Sequence, residues 1–218
     1  MPRRDTKQKI LSAALKLFRK QGFDRTTMRQ IAKSAGTSLG SAYYYFPRKE
    51  ALVLAYFEDQ MALHEAGARA AYQTTQDPYE RVLAAFMVRL DLMAQDQKFF
   101  GGLLRTLGEP DSSVSVFSEE NTPLRRRGIA ILREALEVPG VPEAARDDAA
   151  LMLWALVLGM VLYFVHDTSE GAERTRALAG RAVGLLVPSL ALLELPQAQM
   201  LRCELRSMLA DAKILPDT

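Results

Sequence analysis

The chain has 218 residues, 49% of them apolar, which suits one large or two unequal globular domains around a sizeable buried core. Its single cysteine, Cys203, can form neither an internal disulfide nor a thiolate-rich metal site, so nothing ties the fold to an oxidising compartment and a reducing cytoplasm is expected. The net charge of +2 conceals a division: residues 1–50 hold twelve Lys/Arg against three Asp/Glu, a balance of +9, while 51–218 hold sixteen against twenty-three, a balance of −7.

A basic start followed by apolar residues superficially resembles a leader, but Lys16 and Arg19 interrupt the apolar positions and no small-residue cleavage site follows. Periodicity instead predicts an amphipathic helix over about 6–21, with Ile10, Ala13, Ala14, Leu17 and Phe18 on one face and Gly22 as the stop. The basic residues Lys16, Arg19 and Lys20 read as a solvated face. Thr26 or Thr27 can cap a second helix over 28–35, which Gly36 ends. The segment 36–38 is only long enough for a turn, and Ser38 can cap a third helix over 39–46. Two short helices joined this way make a helix-turn-helix. Pro47 and Glu50 suit the opening of a long connecting helix to about Tyr72.

Further helices are predicted over about 78–95 and around Phe99 to Leu107, then a mostly irregular stretch over 111–123. Others follow over 123–138, from the PGVP break at 139–142 to Val165, over 173–193, and from Pro196 to about Lys213. No run alternates as a strand would, so the fold class is all-α. The division falls near residue 50: a helix-turn-helix head over 1–50 and a helical body over 51–218.

A basic head on an acidic body is the arrangement of a protein that meets a polyanion with one end, without separating DNA from RNA or anionic lipid. The recognition-helix start is built of small or short residues, Ser38, Leu39, Gly40, Ser41 and Ala42, which lets backbone approach base edges in a major groove. Gly40 costs about 1 kcal/mol of helix propensity relative to Ala, a cost that fits a tight contact. Tyr43, Tyr44 and Tyr45 radiate around the helix at about 100° per residue, so they cannot all be core. Tyr44 reads as the packing residue, beside Phe18, Ile31, Phe46 and Leu52.

The string TTMRQIAKSAGTSLGSAYYYFPRKEAL, residues 26–52, resembles the signature of the TetR family of bacterial transcriptional regulators; over the rest of the chain the resemblance is one of architecture. It implies that Tyr43 and Tyr45 contact DNA backbone or bases, that Thr27 and Lys49 contact phosphates, and that Arg29 reaches a base. An Arg fork bonds O6 and N7 of guanine together, worth about 1–3 kcal/mol of discrimination. Arg3 and Arg4 suit either a basic arm on the DNA or a charged, disordered terminus. The expected partner is a double-stranded DNA operator, palindromic and bound by a homodimer, because two heads about 34–36 Å apart read successive major grooves. The implied location is the bacterial cytoplasm, associated with the nucleoid.

The uncharged run of seventeen residues at 149–165 is at the lower limit for a membrane span and has acidic flanks, Asp147, Asp148 and Asp167. Membrane partnership is therefore not expected. In a TetR-like body this helix and the next pack against their two-fold mates, with Leu178, Ala182, Leu185, Leu186 and Ser189 at helical spacing and Ala179, Gly180 and Gly184 allowing close approach. A hydrophobic small-molecule effector would lie among Phe86, Leu90, Met93, Phe100, Leu103, Leu104, Trp154, Leu158 and Tyr163, residues that at helical spacing are more often plain core. His64 could bond a polar ligand group, His166 reads as a surface residue, and Arg125 to Arg127 as a solvated face that could also meet an anion. Two histidines far apart make no metal site, and no nucleophile elbow, phosphate loop or HExxH string points to an enzyme or a cofactor. The expected function is a ligand-responsive repressor; a ligand-independent regulator or an activator would use the same head.

Overall fold

The computed structural model describes residues 3–109 and 111–211, and for Arg3, Arg4, Glu194 and part of the last helix the backbone alone. The side chains of the expected Arg3–Arg4 arm, and the expected end of the last helix at Lys213, lie outside the described residues. The helices are α1 (Arg3–Gln21), α2 (Met28–Ser34), α3 (Leu39–Tyr45), α4 (Lys49–Tyr72), α5 (Pro78–Ala94), α6 (Gln97–Gly108), α7 (Thr122–Ala135), α8 (Glu143–His166), α9 (Glu173–Ser189) and α10 (Pro196–Asp211). Among the described residues there is no strand, and the all-α expectation holds.

Local chemistry explains most of the boundaries. Gly22 and Gly36 both have positive φ, +85° and +65°, and close α1 and α2 where a side chain would strain the backbone. Asp77 caps α5 by accepting from the Tyr79 amide at 3.0 Å, with Pro78 at the first helical position. One expected boundary is corrected. The helix read as 173–193 ends as an α-helix at Ser189 and continues as a 3-10 turn over Leu190–Glu194. Pro188 has no amide to donate, so the α-helical ladder is interrupted as it ends.

The chain divides into two compact units, residues 1–60 with 96–121, and residues 61–95 with 122–218. The unit that holds the head therefore extends beyond residue 50. It takes in the first turns of α4, all of α6 and the serine-rich segment after it. Its core is Ile10, Ala14, Phe18, Ile31, Ala42, Phe46, Leu52, Val53 and Leu103, all at most 2% exposed. Phe18 lies 5.3 Å from Phe23 and 5.8 Å from Phe99, nearly parallel to the latter; Tyr56 meets Phe99 edge-on at 5.6 Å.

The second unit is a bundle in which the remainder of α4 packs with α5 and α7, and α5 and α7 in turn with α9 and α8. Glu65 pairs with Arg127 through both carboxylate oxygens, at 2.8 and 2.9 Å, and Arg69 pairs with Glu134 at 2.9 Å. Between them Tyr72 donates to the Ile131 carbonyl at 3.0 Å, with Arg81 over its ring. These bonds hold α4 against α7. At Gly67 a Cβ would come within 2.8 Å of a Val88 methyl, so glycine sets the spacing of α4 and α5. Asp167 links α8 to α9 by accepting from the amide and hydroxyl of Thr175, at 2.8 and 2.6 Å, and from Ser169. Burial alone would push its pKa up, but these four bonds hold it well below the usual carboxylate range.

Candidate nucleic-acid interface

The helix-turn-helix is α2 and α3 with α1 behind them. Thr27, not Thr26, caps α2: its hydroxyl accepts from the Gln30 amide at 3.3 Å while Gln30 Oε1 accepts from the Thr27 amide at 2.8 Å. Thr26 is buried and donates to the Gly22 carbonyl at 2.7 Å, tying the turn to the end of α1. The Gln21 amide reinforces this joint, donating to the Arg25 carbonyl and to Gln30 Oε1 at 3.1 and 3.2 Å. Ser38 caps α3 by accepting from the Ser41 amide at 3.0 Å. The two caps fix where α2 and α3 begin.

Outward from this joint stand Thr27, Arg29, Ser38, Gly40, Tyr43 and Tyr44, all exposed, with Leu39, Ser41 and Tyr45 half-buried. A Cβ at Gly40 would meet nothing within 4 Å, so internal packing does not demand the glycine. Lys49 donates to the Phe23 carbonyl at 2.9 Å and sits 4.4 Å over the Phe23 ring, clipping the start of α4 to the turn after α1. That role escaped sequence reasoning, because the turn it grips lies 26 residues earlier.

One expectation about the head is corrected. Tyr44 is not a packing residue: it is 71% exposed, its ring edge-on to Tyr45 at 5.1 Å. Helix α3 turns inward at Ala42 and its cap Phe46, and Tyr44, about 200° around the helix from each, must point away. Tyr44 therefore joins the outward row. Arg19 is exposed, as expected, but it is also paired. Its guanidinium makes a two-pronged pair with the Asp96 carboxylate, one bond at 2.9 Å and a shorter one from Nε, and the Tyr56 hydroxyl donates to the same carboxylate at 2.6 Å. Lys16 and Lys20 are exposed as well.

Asp96, 4% exposed, occupies the N-cap position of α6 but makes no cap bond there; its oxygens go to α1 and α4 instead. Burial pushes its pKa up, and the bonds from Arg19 and Tyr56 with the charge of Arg19 outweigh that, leaving it below the ordinary value. A pKa lowered by folding adds stability above the unfolded value of about 4, and that share is lost as pH falls through the folded value. Asp96→Asn is accordingly expected to lower the urea midpoint at pH 7, with the gap from the parent closing below about pH 4. A gap independent of pH would assign the effect to packing.

Comparison with known proteins places this architecture in a family. Residues 10–56 match the profile of bacterial regulatory proteins of the tetR family, and residues 81–200, more than half of the chain, match that of the tetracyclin repressor-like C-terminal domain. The chain belongs to the TetR family. The HTH-type transcriptional regulator LmrA of Bacillus subtilis is 29% identical over 166 residues, 72% of this chain and 85% of that protein. The HTH-type regulator RutR of Escherichia coli is 53% identical over 49 residues, 22% of this chain and 23% of that protein. Among solved structures, a TetR-family regulator from Syntrophomonas wolfei superposes with a TM-score of 0.66 at 18% identity, covering 89% of this chain and 99% of that one. The regulator FadR of B. subtilis, in complex with stearoyl-CoA, superposes with a TM-score of 0.64 at 19% identity, covering 83% and 97%. This TetR-family chain is thus a DNA-binding transcriptional regulator rather than an enzyme.

The expected effector residues fall in both units. Phe100, Leu103 and Leu104 belong with the head; Phe86, Leu90, Met93, Trp154, Leu158 and Tyr163 belong to the second unit. Phe86, Leu90, Met93 and Trp154 are buried, Leu158 is half-buried, and Tyr163 is 42% exposed on α8. His166 is exposed, as expected, whereas His64 is buried. Its Nε2 lies 2.9 Å from the Ala85 carbonyl and Nδ1 has no hydrogen-bond partner. Burial, aided by the charge of Arg89, pushes its pKa down to about 4, so the ring is neutral at pH 7: Nε2 donates and Nδ1 is left as an acceptor. The arginine run is not a solvated face: Arg125 is buried and bonds Thr122, Arg127 pairs with Glu65, and Arg126 alone of the three is exposed. A Cβ added at Gly180 or Gly184 would come 3.9 or 3.6 Å from Tyr79, an ordinary contact where α9 lies along α5.

Proposed function

We propose that this regulator reads a palindromic operator as a homodimer in the bacterial cytoplasm, on the nucleoid, and represses until a hydrophobic small molecule binds the body. The observation that carries the DNA reading is the outward row of α2 and α3. Thr27, Arg29, Ser38, Leu39, Gly40, Ser41, Tyr43 and Tyr45 are its contact residues, with Tyr44 beside them and Lys49 at the edge. Helix α3 fully buries only Ala42, and its start is capped and small, with Gly40, Tyr43 and Tyr44 exposed to meet a groove.

Dimerisation rests on faces of α8 and α9 that the chain leaves open. Both α8 and the run Glu170–Leu193 are long and apolar enough to cross a membrane. Along α8, Met152, Ala155, Gly159, Leu162 and His166 are exposed at alternating spacings of three and four, a helical seam; on α9, Leu178 and Leu185 are 42% and 73% exposed. A second copy offers the same seam and covers both.

The effector reading rests on the neutral, buried His64, whose Nδ1 would accept from a polar group of an otherwise apolar ligand lodged within the second unit, among Phe86, Leu90, Met93, Trp154, Leu158 and Tyr163. B. subtilis FadR, similar in fold, has been solved with stearoyl-CoA, and long-chain acyl compounds are a first class to screen. A ligand-independent regulator, or an activator, would lack this response.

An anisotropy titration of the purified chain against the DNA upstream of its own gene tests the reading. Arg29→Ala is expected to weaken specific binding about tenfold or more and to relax the sequence preference, as loss of a bidentate guanine contact would. Equal binding by Arg29→Ala and parent would remove Arg29 from the reading surface. Addition of acyl compounds to the bound complex then separates the ligand-responsive repressor from its ligand-independent alternative.

A further inference from the structure

Within the unit that holds the head, one exposed cation three residues past the end of α3 is already engaged. The Arg48 guanidinium lies 3.3 Å from the Glu120 carboxylate, and both side chains are about half exposed, 53% and 49%. Glu120 does not reach Arg48 by chance of a floppy loop. The segment 111–121 is stitched to itself: Ser118 donates to the Ser113 carbonyl at 2.9 Å, the Asn121 amide donates to Ser118 Oγ at 3.2 Å, and Asn121 Nδ2 donates to the Ser115 carbonyl at 3.1 Å. Val114 is fully buried beneath it. An acid is thus held against the flank of a basic head whose outward row is otherwise Arg, Ser, Gly and Tyr.

We propose that Arg48 is a further phosphate-binding residue of the head, and that Glu120 is its built-in competitor. The inference rests on the DNA-binding reading above and adds to it a device that limits affinity. In the free protein the carboxylate stands where a phosphate oxygen would; on DNA, Arg48 exchanges Glu120 for a backbone phosphate. A half-exposed ion pair is weak, so a phosphate in a polyanionic array displaces it. The exchange also changes the count of ions. Glu120, released, recruits a cation, which cancels most of the counterion release that Arg48 would otherwise produce. DNA binding is thereby both weaker and less salt-dependent than the arginine alone would make it.

The test uses the full chain and a short duplex of arbitrary sequence, titrated by anisotropy over a series of salt concentrations, since phosphate contacts need no operator. Glu120→Gln is expected to tighten binding by about three- to tenfold at low salt and to steepen the slope of log affinity against log salt by about 0.9 per head. Arg48→Ala is expected to weaken binding, and in its background Glu120→Gln should change neither affinity nor slope. Weaker binding by Glu120→Gln would make the pair a strut that presents Arg48, and would overturn the proposal. An equal gain with and without Arg48 would do so too, by reducing Glu120 to general repulsion of DNA. A parent that binds no duplex at any salt would instead sink the reading of the head itself.

Discussion

A chain carrying Leu162→Asp and Leu185→Asp is expected to be monomeric in solution and to bind operator DNA about 10²–10⁴-fold more weakly than the parent. Both residues lie on the open seam of α8 and α9, 54% and 73% exposed, so the aspartates cost the folded chain little by themselves. In a dimer built on that seam each would be buried as an uncompensated charge in an apolar interface. The loss of DNA affinity follows from linkage of two heads: once one is bound, the second binds at high effective concentration, and a monomer forfeits that gain. Light scattering gives the mass and anisotropy the affinity. A dimer that survives both changes would place the interface elsewhere on the body, whereas a monomer with unaltered affinity would show that one head suffices.

Phe18→Ala is the substitution expected to damage the head most, by about 3–5 kcal/mol, a large part of the stability of an ordinary domain. Phe18 is 1% exposed and is clasped between Phe23, just after its own helix, and Phe99 of α6. Removing the ring opens a cavity that neither neighbour can fill without leaving its place. Because α1 and α6 share this ring and the Arg19–Asp96 pair, hydrogen exchange should rise in both helices together. Tyr44→Ala, on the opposite side of α3 from the core, is expected to leave the urea midpoint within about 0.5 kcal/mol of the parent while weakening DNA binding. If exchange rises in α1 but not in α6, the stacked pair of rings does not join them.

The order of helices and the helix-turn-helix were legible in the sequence because their signals are local. Thr27 and Ser38 cap through atoms three residues away, Gly22 and Gly36 close helices by their own φ, and a 3.6-residue period is written within a few turns. The basic head and acidic body were equally plain, being counts. These features would arise at the same positions whatever the rest of the chain did.

What only the tertiary structure decided is which surface meets which. Asp96 and Arg19 are 77 residues apart, Arg48 and Glu120 are 72, and Tyr79 finds Gly184 across the bundle; no local pattern distinguishes such a partner from any other arginine, acid or glycine. Tyr44 illustrates the limit. Three adjacent tyrosines on a short helix are equivalent by period until the inward direction is known, and Ala42 and Phe46 set that direction by where they pack. The same holds for α8, apolar on all sides: sequence marked it as a helix to be buried, and the fold determined that Leu153, Trp154 and Phe164 face its own unit while Met152, Gly159 and Leu162 are left open. Secondary structure follows from interactions within a turn, while the choice of face is a property of long-range packing, made only when the separate segments come together.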